Sequence, residues 1–310
     1  MSVAKIFTGK STAYLGEKIA RAYGAVLGKA SLQIFSDGEM CPVYDESVRG
    51  HDVFIIQSTN PPSDNFMELL LMIDAAKRAS AKHVTVVVPY FGYARQDRKD
   101  KPRVAIAAKL MANLISAAGA NRIVTCDLHA DQIQGFFDIP VDHLDGSAIF
   151  VPYLRSLKLK NITFASPDVG GVKRTRAFAK FFNAELVVCD KHRKLANKVA
   201  SMQLIGDVKD RDVVLVDDLI DTGGTMCKAA KLIMDKGAHS VRAVVTHPLL
   251  SGDAYENIGK SVLEELVVTD TLPLKNGSSK IKVLSIAELM SKAIRIIHDN
   301  ASISSLFINP

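Results

Sequence analysis

Short apolar runs recur along the chain, each followed by a longer stretch with helical spacing. Val53-Phe54-Ile55-Ile56, Val84-Thr85-Val86-Val87-Val88 and Ile123-Val124-Thr125-Cys126 predict buried strands. Ile162-Thr163-Phe164-Ala165, Leu186-Val187-Val188, Val213-Val214-Leu215-Val216 and Val241-Arg242-Ala243-Val244-Val245 do the same. Runs that are apolar on both faces belong to parallel sheets covered on both sides by helices. The amphipathic stretches 66–79, 106–117 and 225–236 supply such helices. Alternating strand and helix predicts an α/β architecture with right-handed crossovers.

One half of the chain echoes the other. Asp52-Val53-Phe54-Ile55-Ile56 resembles Asp212-Val213-Val214-Leu215-Val216, 160 residues later. His83-Val84-Thr85-Val86-Val87-Val88 resembles Ser240-Val241-Arg242-Ala243-Val244-Val245, 157 residues later. Only the loop between them changes length, which predicts a duplicated α/β domain with its boundary near Asp145-Gly146.

Composition narrows the class. The 310 residues are 48% hydrophobic and 23% charged, as in a folded globular protein, and the length suits two domains. A net charge of +6 favours anionic ligands such as phosphates but is too mild to establish nucleic-acid binding. Aromatic content of 6% with no Trp argues against a base-stacking platform. The four cysteines have no CxxC spacing, so neither a zinc site nor a redox dithiol is expected, and scattered thiols suit a reducing cytoplasm. No signal peptide or membrane span is expected.

The strongest chemical signal is Val216-Asp217-Asp218-Leu219-Ile220-Asp221-Thr222-Gly223-Gly224-Thr225. An apolar strand ends in two acids, and a Gly-rich turn then opens a helix. Amides at a helix N-terminus bind anions, glycines allow close approach, and carboxylates accept hydrogen bonds from sugar hydroxyls. The pattern predicts a sugar-phosphate site. The equivalent loop of the first repeat, from Gln57 to Asn65, lacks the acids and the Gly pair, so it should serve another purpose. Five basic residues in the nine from Arg95 to Arg103 make either a triphosphate clamp or a solvated loop. Gly9-Lys10-Ser11 is not a Walker A end, because position 4 is alanine and no strand fits before it.

The acid–glycine pattern resembles the phosphoribosyl-diphosphate signature of type I phosphoribosyltransferase-fold proteins. Phe35-Ser36-Asp37-Gly38-Glu39, Tyr93-Ala94-Arg95-Gln96-Asp97-Arg98-Lys99, Asp127-Leu128-His129-Ala130, Ser166-Pro167-Asp168-Val169-Gly170-Gly171 and Ser302-Ile303-Ser304-Ser305-Leu306-Phe307 narrow this further. Over essentially its whole length the chain resembles the class I ribose-phosphate diphosphokinases, or phosphoribosyl pyrophosphate synthetases.

That resemblance implies two similar phosphoribosyltransferase-like domains. They span 1–145 (ATP site, subunit contacts) and 146–298 (ribose 5-phosphate site), with a tail at 299–310 on the first. It implies that Phe35, Asp37, Glu39, Arg95, Gln96 and Asp97 bind ATP. Asp217, Asp218, Asp221, Thr222, Gly223, Gly224 and Thr225 would bind ribose 5-phosphate. His129 and Asp168 would be ligands of Mg²⁺, with Asp168 the more dependable because magnesium prefers oxygen. Lys191 and Arg193 would be catalytic, on a flexible basic loop. Ser47, Arg49, Ser302, Ser304 and Phe307 match segments that bind phosphate and ADP as effectors in homohexamers. A cytoplasmic enzyme with neither nucleic-acid nor membrane partners is implied. A base-using phosphoribosyltransferase, a non-catalytic paralogue and an RNA-binding regulator on the same fold stay open as alternatives.

Overall fold

A computed structural model describes residues 3–192 and 201–308, and the chain divides into two compact units. The first unit comprises Met1–Asp145 and Ile286–Phe307. Its elements begin with β1 (Ala4–Thr8), α1 (Ala13–Tyr23), the hairpin β2 (Ala30–Ile34) and β3 (Met40–Tyr44), and β4 (Asp52–Ile56). α2 (Asp64–Arg78), β5 (His83–Val88), α3 (Ala107–Ala118), β6 (Arg122–Cys126) and β7 (Val141–Leu144) follow. The sheet is β1-β4-β5-β6-β7, parallel throughout. Phe7, Val53, Ile55, Leu69, Ile73 and Ile115 fill its core.

The second unit, Gly146–Ser285, holds α4 (Ser147–Ser156), β8 (Ile162–Ser166), α5 (Val172–Phe181), β9 (Glu185–His192) and β10 (Ser201–Ile205). Then come β11 (Asp212–Ile220), α6 (Gly224–Asp235), β12 (Ser240–Pro248), α7 (Ala254–Lys260), β13 (Leu266–Thr269) and β14 (Ile281–Leu284). The sheet order is β10-β9-β8-β11-β12-β13-β14, with only the β9–β10 pair antiparallel. Val213 and Leu215 point to α6, where Met226, Ala229 and Ile233 meet them. Val214 and Val216 point to the other face, against Phe150, Leu154 and Phe178. Both faces are buried, which is why these strands read as unbroken apolar runs.

The duplication extends to register. Ala4 faces Asp52 as Ile162 faces Asp212. Asp52 faces His83 as Asp212 faces Ser240, and Ile123 faces Val141 as Leu266 faces Ile281. Counting forward from these pairs, Lys10 corresponds to Asp168, Gln57 to Asp217 and Ser58 to Asp218, and aligning the starts of α1 and α5 sets Leu15 against Arg174.

The chain then returns to the first unit in α8 (Ala287–His298), whereas the sequence places 146–298 together. The helix is strongly amphipathic, burying Leu289, Met290, Ala293 and Ile294, and it packs on α1. The Tyr23 hydroxyl lies 3.2 Å from His298 Nδ1, and the Arg295 guanidinium donates to the Tyr23 carbonyl. Cys41, Cys126, Cys189 and Cys227 are free thiols, and burial pushes Cys189 up to about 11. Among the described residues no helix is long and apolar enough to cross a membrane.

Candidate active site

The second unit gathers the acids at the carboxyl end of its sheet. β8 and β11 are parallel neighbours, Ala165 opposite Leu215, and open α/β sheets bind ligands outside such strand ends. The loop after β8 carries Asp168. Its Oδ1 accepts from the Gly171 amide at 3.2 Å, and its carbonyl accepts from the Ser166 hydroxyl at 2.5 Å. The sequence ends the next strand at Val216, but β11 continues through Asp217 and Asp218 to Ile220. Its pairing with β12 as far as Pro248 carries it on.

Asp218 is buried, with its side chain only 5% exposed, and Arg174 Nη1 donates to its Oδ1 at 3.0 Å. The Asp218 amide donates to Asp217 Oδ1 at 2.9 Å. Burial first, then the neighbouring Asp218 charge, hold the Asp217 carboxyl well above the usual carboxylate range. Asp168 adds to the shift and Arg174 opposes it. A cation or a set of hydroxyl donors would relieve such crowding.

Beyond β11 the chain turns through Asp221, Thr222 and Gly223 into α6, whose first residues are Gly224 and Thr225. Gly223 has φ +75°, in the left-handed region. A Cβ there would stand 3.6 Å from Ile258 Cγ1, so the backbone angle rather than space demands glycine. The Ser251 amide donates to the Asp221 carbonyl and Asn257 Nδ2 to the Thr222 carbonyl, each at 3.0 Å. The turn is thereby fixed beside the amide-rich start of a 12-residue helix, a ready anion site.

Lys191 lies on β9 opposite Met202 rather than in a loop, because β10, invisible in the apolar pattern, extends the pairing. Arg193 lies outside the described residues.

The first unit handles the corresponding places differently. Gln57, where the second repeat has Asp217, is fully buried and donates from Nε2 to Glu68 Oε2 at 2.7 Å. Its Oε1 accepts from the Ser11 hydroxyl at 2.7 Å. The Lys10 amide, where the second repeat has Asp168, donates to the Glu68 carboxylate at 3.0 Å. Burial raises the Glu68 carboxyl above its ordinary value, and these donors only partly offset it. The strand ends of this repeat are tied to one another by their own side chains.

Phe35, Asp37 and Glu39 sit at the turn of the β2–β3 hairpin. Phe35 and Glu39 are joined backbone to backbone at 2.9 Å, and Asp37 Oδ1 accepts from the Glu39 amide at 3.1 Å. The Phe35 ring is exposed, an apolar plate on a polar turn. Arg95, Gln96 and Asp97 lie between β5 and α3. The Gln96 carbonyl accepts from the Ala108 amide at 3.2 Å, and Asp97 Oδ2 accepts from Gln132 at 3.0 Å. His129 is exposed just beyond β6. Ser47 and Arg49 are exposed, with the Arg49 amide 3.4 Å from the Ser47 hydroxyl. Ser302 and Ser304 share a hydroxyl–hydroxyl bond, and Phe307 is partly exposed.

His129 belongs to the first unit and Asp168 to the second. Among the described residues, no group of three or more His, Cys, Asp or Glu is arranged to hold a metal. Sequence reasoning passed over Arg174, which sits in the basic run Lys173–Arg176. Its place four residues before buried Phe178 on α5 was the available signal.

The N-terminal domain of ribose phosphate pyrophosphokinase matches residues 4–119, and the phosphoribosyl synthetase-associated domain matches residues 173–308. A ribose-phosphate pyrophosphokinase of Wolinella succinogenes is 56% identical over 305 residues, covering 98% of this chain and 99% of its own. The chain belongs to the ribose-phosphate pyrophosphokinase family. A family member from Porphyromonas gingivalis is 52% identical over 97% of each chain. The crystal structure of phosphoribosylpyrophosphate synthetase from Mycobacterium smegmatis aligns at a TM-score of 0.91 and 38% identity, over 96% of this chain and 99% of its own. The ribose-phosphate pyrophosphokinase reaction moves the diphosphoryl group of ATP to the anomeric hydroxyl of ribose 5-phosphate, giving AMP and 5-phospho-α-D-ribose 1-diphosphate. The chain is thus a transferase of nucleotide biosynthesis.

Proposed function

We propose that the second unit holds ribose 5-phosphate and the first holds ATP. The observation that carries this is the contrast between repeats. Asp168, Asp217 and Asp218 crowd together beside the Gly223–Gly224 helix start, whereas Gln57 and Glu68 satisfy each other in the first repeat. Asp221, Thr222, Gly223, Gly224 and Thr225 cradle the 5-phosphate with amides and hydroxyls. Asp217 and Asp218 accept from the ribose hydroxyls. Phe35 covers the adenine, Asp37 and Glu39 read its edge, and Arg95, Gln96 and Asp97 hold the nucleotide.

The anomeric oxygen attacks the β-phosphorus of ATP and loses its proton. The bond from the β-phosphorus to the α–β bridging oxygen breaks, and AMP leaves with that electron pair. Phosphoryl transfer of this kind depends on positioning and charge neutralisation, and no covalent enzyme intermediate is needed. Lys191 and Arg193 neutralise charge on the transferring group and on AMP.

The donor chemistry fits Mg²⁺, a hard cation that keeps several waters and needs few protein ligands. Asp168 would hold it with a carboxylate oxygen and His129 with a ring nitrogen, and bound metal would neutralise phosphate charge. The enzyme works in the cytoplasm as a homohexamer. Phosphate activates it and ADP inhibits it through Ser47, Arg49, Ser302, Ser304 and Phe307. The first domain spans 1–145 together with 286–307, and the catalytic domain spans 146–285.

The test is formation of AMP and phosphoribosyl diphosphate from ATP and ribose 5-phosphate, with and without Mg²⁺ and phosphate. Label from the β-phosphate of ATP must reach ribose C1 as diphosphate. A chain that instead consumes phosphoribosyl diphosphate with a free base is a base-using transferase.

A further inference from the structure

We propose that Arg174 is a positioning residue for the sugar. It fixes the Asp218 carboxylate in the orientation that accepts hydrogen bonds from ribose hydroxyls, a role that rests on the assignment of ribose 5-phosphate to the second unit. Arg174 stands in the first turn of α5, and its Nη1 donates to Asp218 Oδ1 at 3.0 Å. The same aspartate gives its amide to Asp217 Oδ1 at 2.9 Å. One guanidinium thus anchors the carboxylate whose own backbone orients the other.

The first repeat is an internal control. Its strands keep the same register, yet with the starts of α1 and α5 aligned the fully buried Leu15 stands where the second repeat has Arg174, and Ser58 where it has Asp218. A Cβ on Gly16 would come within 2.8 Å of Thr8 Cβ, so the helix there closes directly on the strand. Ser58 is fully buried, and its hydroxyl oxygen accepts from the Tyr90 amide at 3.1 Å. The fold therefore forms this helix–strand crossing without an ion pair. A buried ion pair adds little net stability, because desolvation offsets its attraction. The repeat that keeps the pair is the one whose strand end carries the sugar-binding acids.

The geometry also explains the choice of residue. Val214, Val216 and Asp218 alternate onto the α4–α5 face of β11, so Asp218 would turn into apolar packing without a fixed partner. Arginine presents a planar fork that holds a carboxylate in one orientation, which a lysine ammonium does less well.

The experiment uses Arg174→Met, Arg174→Lys, Asp218→Asn and the Arg174→Met/Asp218→Asn double variant. Steady-state kinetics are measured with both substrates. Equilibrium binding of ribose 5-phosphate is measured on enzyme saturated with α,β-methylene ATP, and thermal stability is followed in parallel. Arg174→Met should raise KM for ribose 5-phosphate at least tenfold and weaken its binding by a similar factor, with KM for ATP within twofold. Arg174→Lys should recover part of that loss. In the Asp218→Asn background, Arg174→Met should change sugar KM less than twofold, because the arginine acts through that carboxylate. If Arg174→Met does not fold, Arg174→Lys reads the same quantity as a smaller rise confined to the sugar. Sugar KM and affinity within twofold of wild type in the folded Arg174 variants would overturn the proposal. So would an Arg174→Met effect undiminished by Asp218→Asn. A wild-type chain that forms no AMP from the two substrates would overturn the functional reading instead.

Discussion

Gln57 donates a 2.7 Å hydrogen bond to the buried carboxylate of Glu68, at the position where the second repeat sets Asp217 among other carboxylates. One repeat ties its polar groups to one another, and the other crowds its carboxylates together. Glu68 also gives a pH signature. Its folded-state value is raised by burial, so the ionised form is disfavoured in the native protein and its cost appears as pH rises from the unfolded value through the folded one. Relative to Glu68→Gln, wild type should lose stability as pH rises from the ordinary carboxylate range towards neutrality. Thermal melts of both proteins across that range check it, and a constant difference in Tm would show that Glu68 titrates as it does in water.

The Gly223 backbone makes a second prediction. Alanine fits the space there but not the angle, so Gly223→Ala should cost only about 1 kcal/mol of stability, the usual strain of a left-handed alanine. The α6 amides would turn away from the phosphate, and KM for ribose 5-phosphate should rise at least tenfold with KM for ATP little changed. Equal rises for both substrates would take the phosphate away from this turn.

Gly92 behaves in the opposite way. A Cβ there would lie 2.1 Å from the Thr59 backbone carbonyl, a contact that no rotamer relieves. The Gly92 amide also donates to Thr59 Oγ1 at 2.7 Å, tying the β4 and β5 loops together. Gly92→Ala should destabilise the protein by about 1–3 kcal/mol, in the range of overpacked cores, and raise KM for ATP by displacing Arg95–Asp97. Tm and the two KM values decide it. An unchanged KM for ATP in a folded variant would separate this loop from the nucleotide.

Lys191→Ala should lower kcat by about 10²–10⁴, the scale of removing one or two transition-state donors. KM for ribose 5-phosphate should hold within a few-fold, because the contacts proposed for the phosphate and the hydroxyls lie elsewhere in the second unit. A near-normal kcat would move the chemistry off Lys191.

The seven buried strands that the sequence marks are all present, because a strand buried on both faces is apolar at every position and stands out against amphipathic helices. What escaped was structure defined by pairing rather than by composition. Ser201–Ile205 is a strand because Met202 faces Lys191, and β11 passes Val216 because Ile220 faces Pro248. The acids and glycines of Asp217–Thr225 stand out in the sequence, since acids at the end of an apolar run call for a reason other than packing, and the structure sets them at a strand end and a helix start. Arg174 was not, because a basic residue in a basic helix looks like solvent-facing charge until its partner is known. The Gln57–Glu68 tie was equally hidden, being a match between a strand end and a helix eleven residues on.

Because Ile286–Phe307 belongs with Met1–Asp145, the second unit is spliced into the covalent course of the first. A ribosome reading this message finishes residues 146–285 before it makes the helix that packs on α1. Translation therefore delivers the second unit complete while the first still waits for its last helix. Until α8 emerges, the nascent chain carries an uncovered apolar stripe for the whole time needed to synthesise its neighbour. That interval is when this protein is most exposed to aggregation and to chaperones.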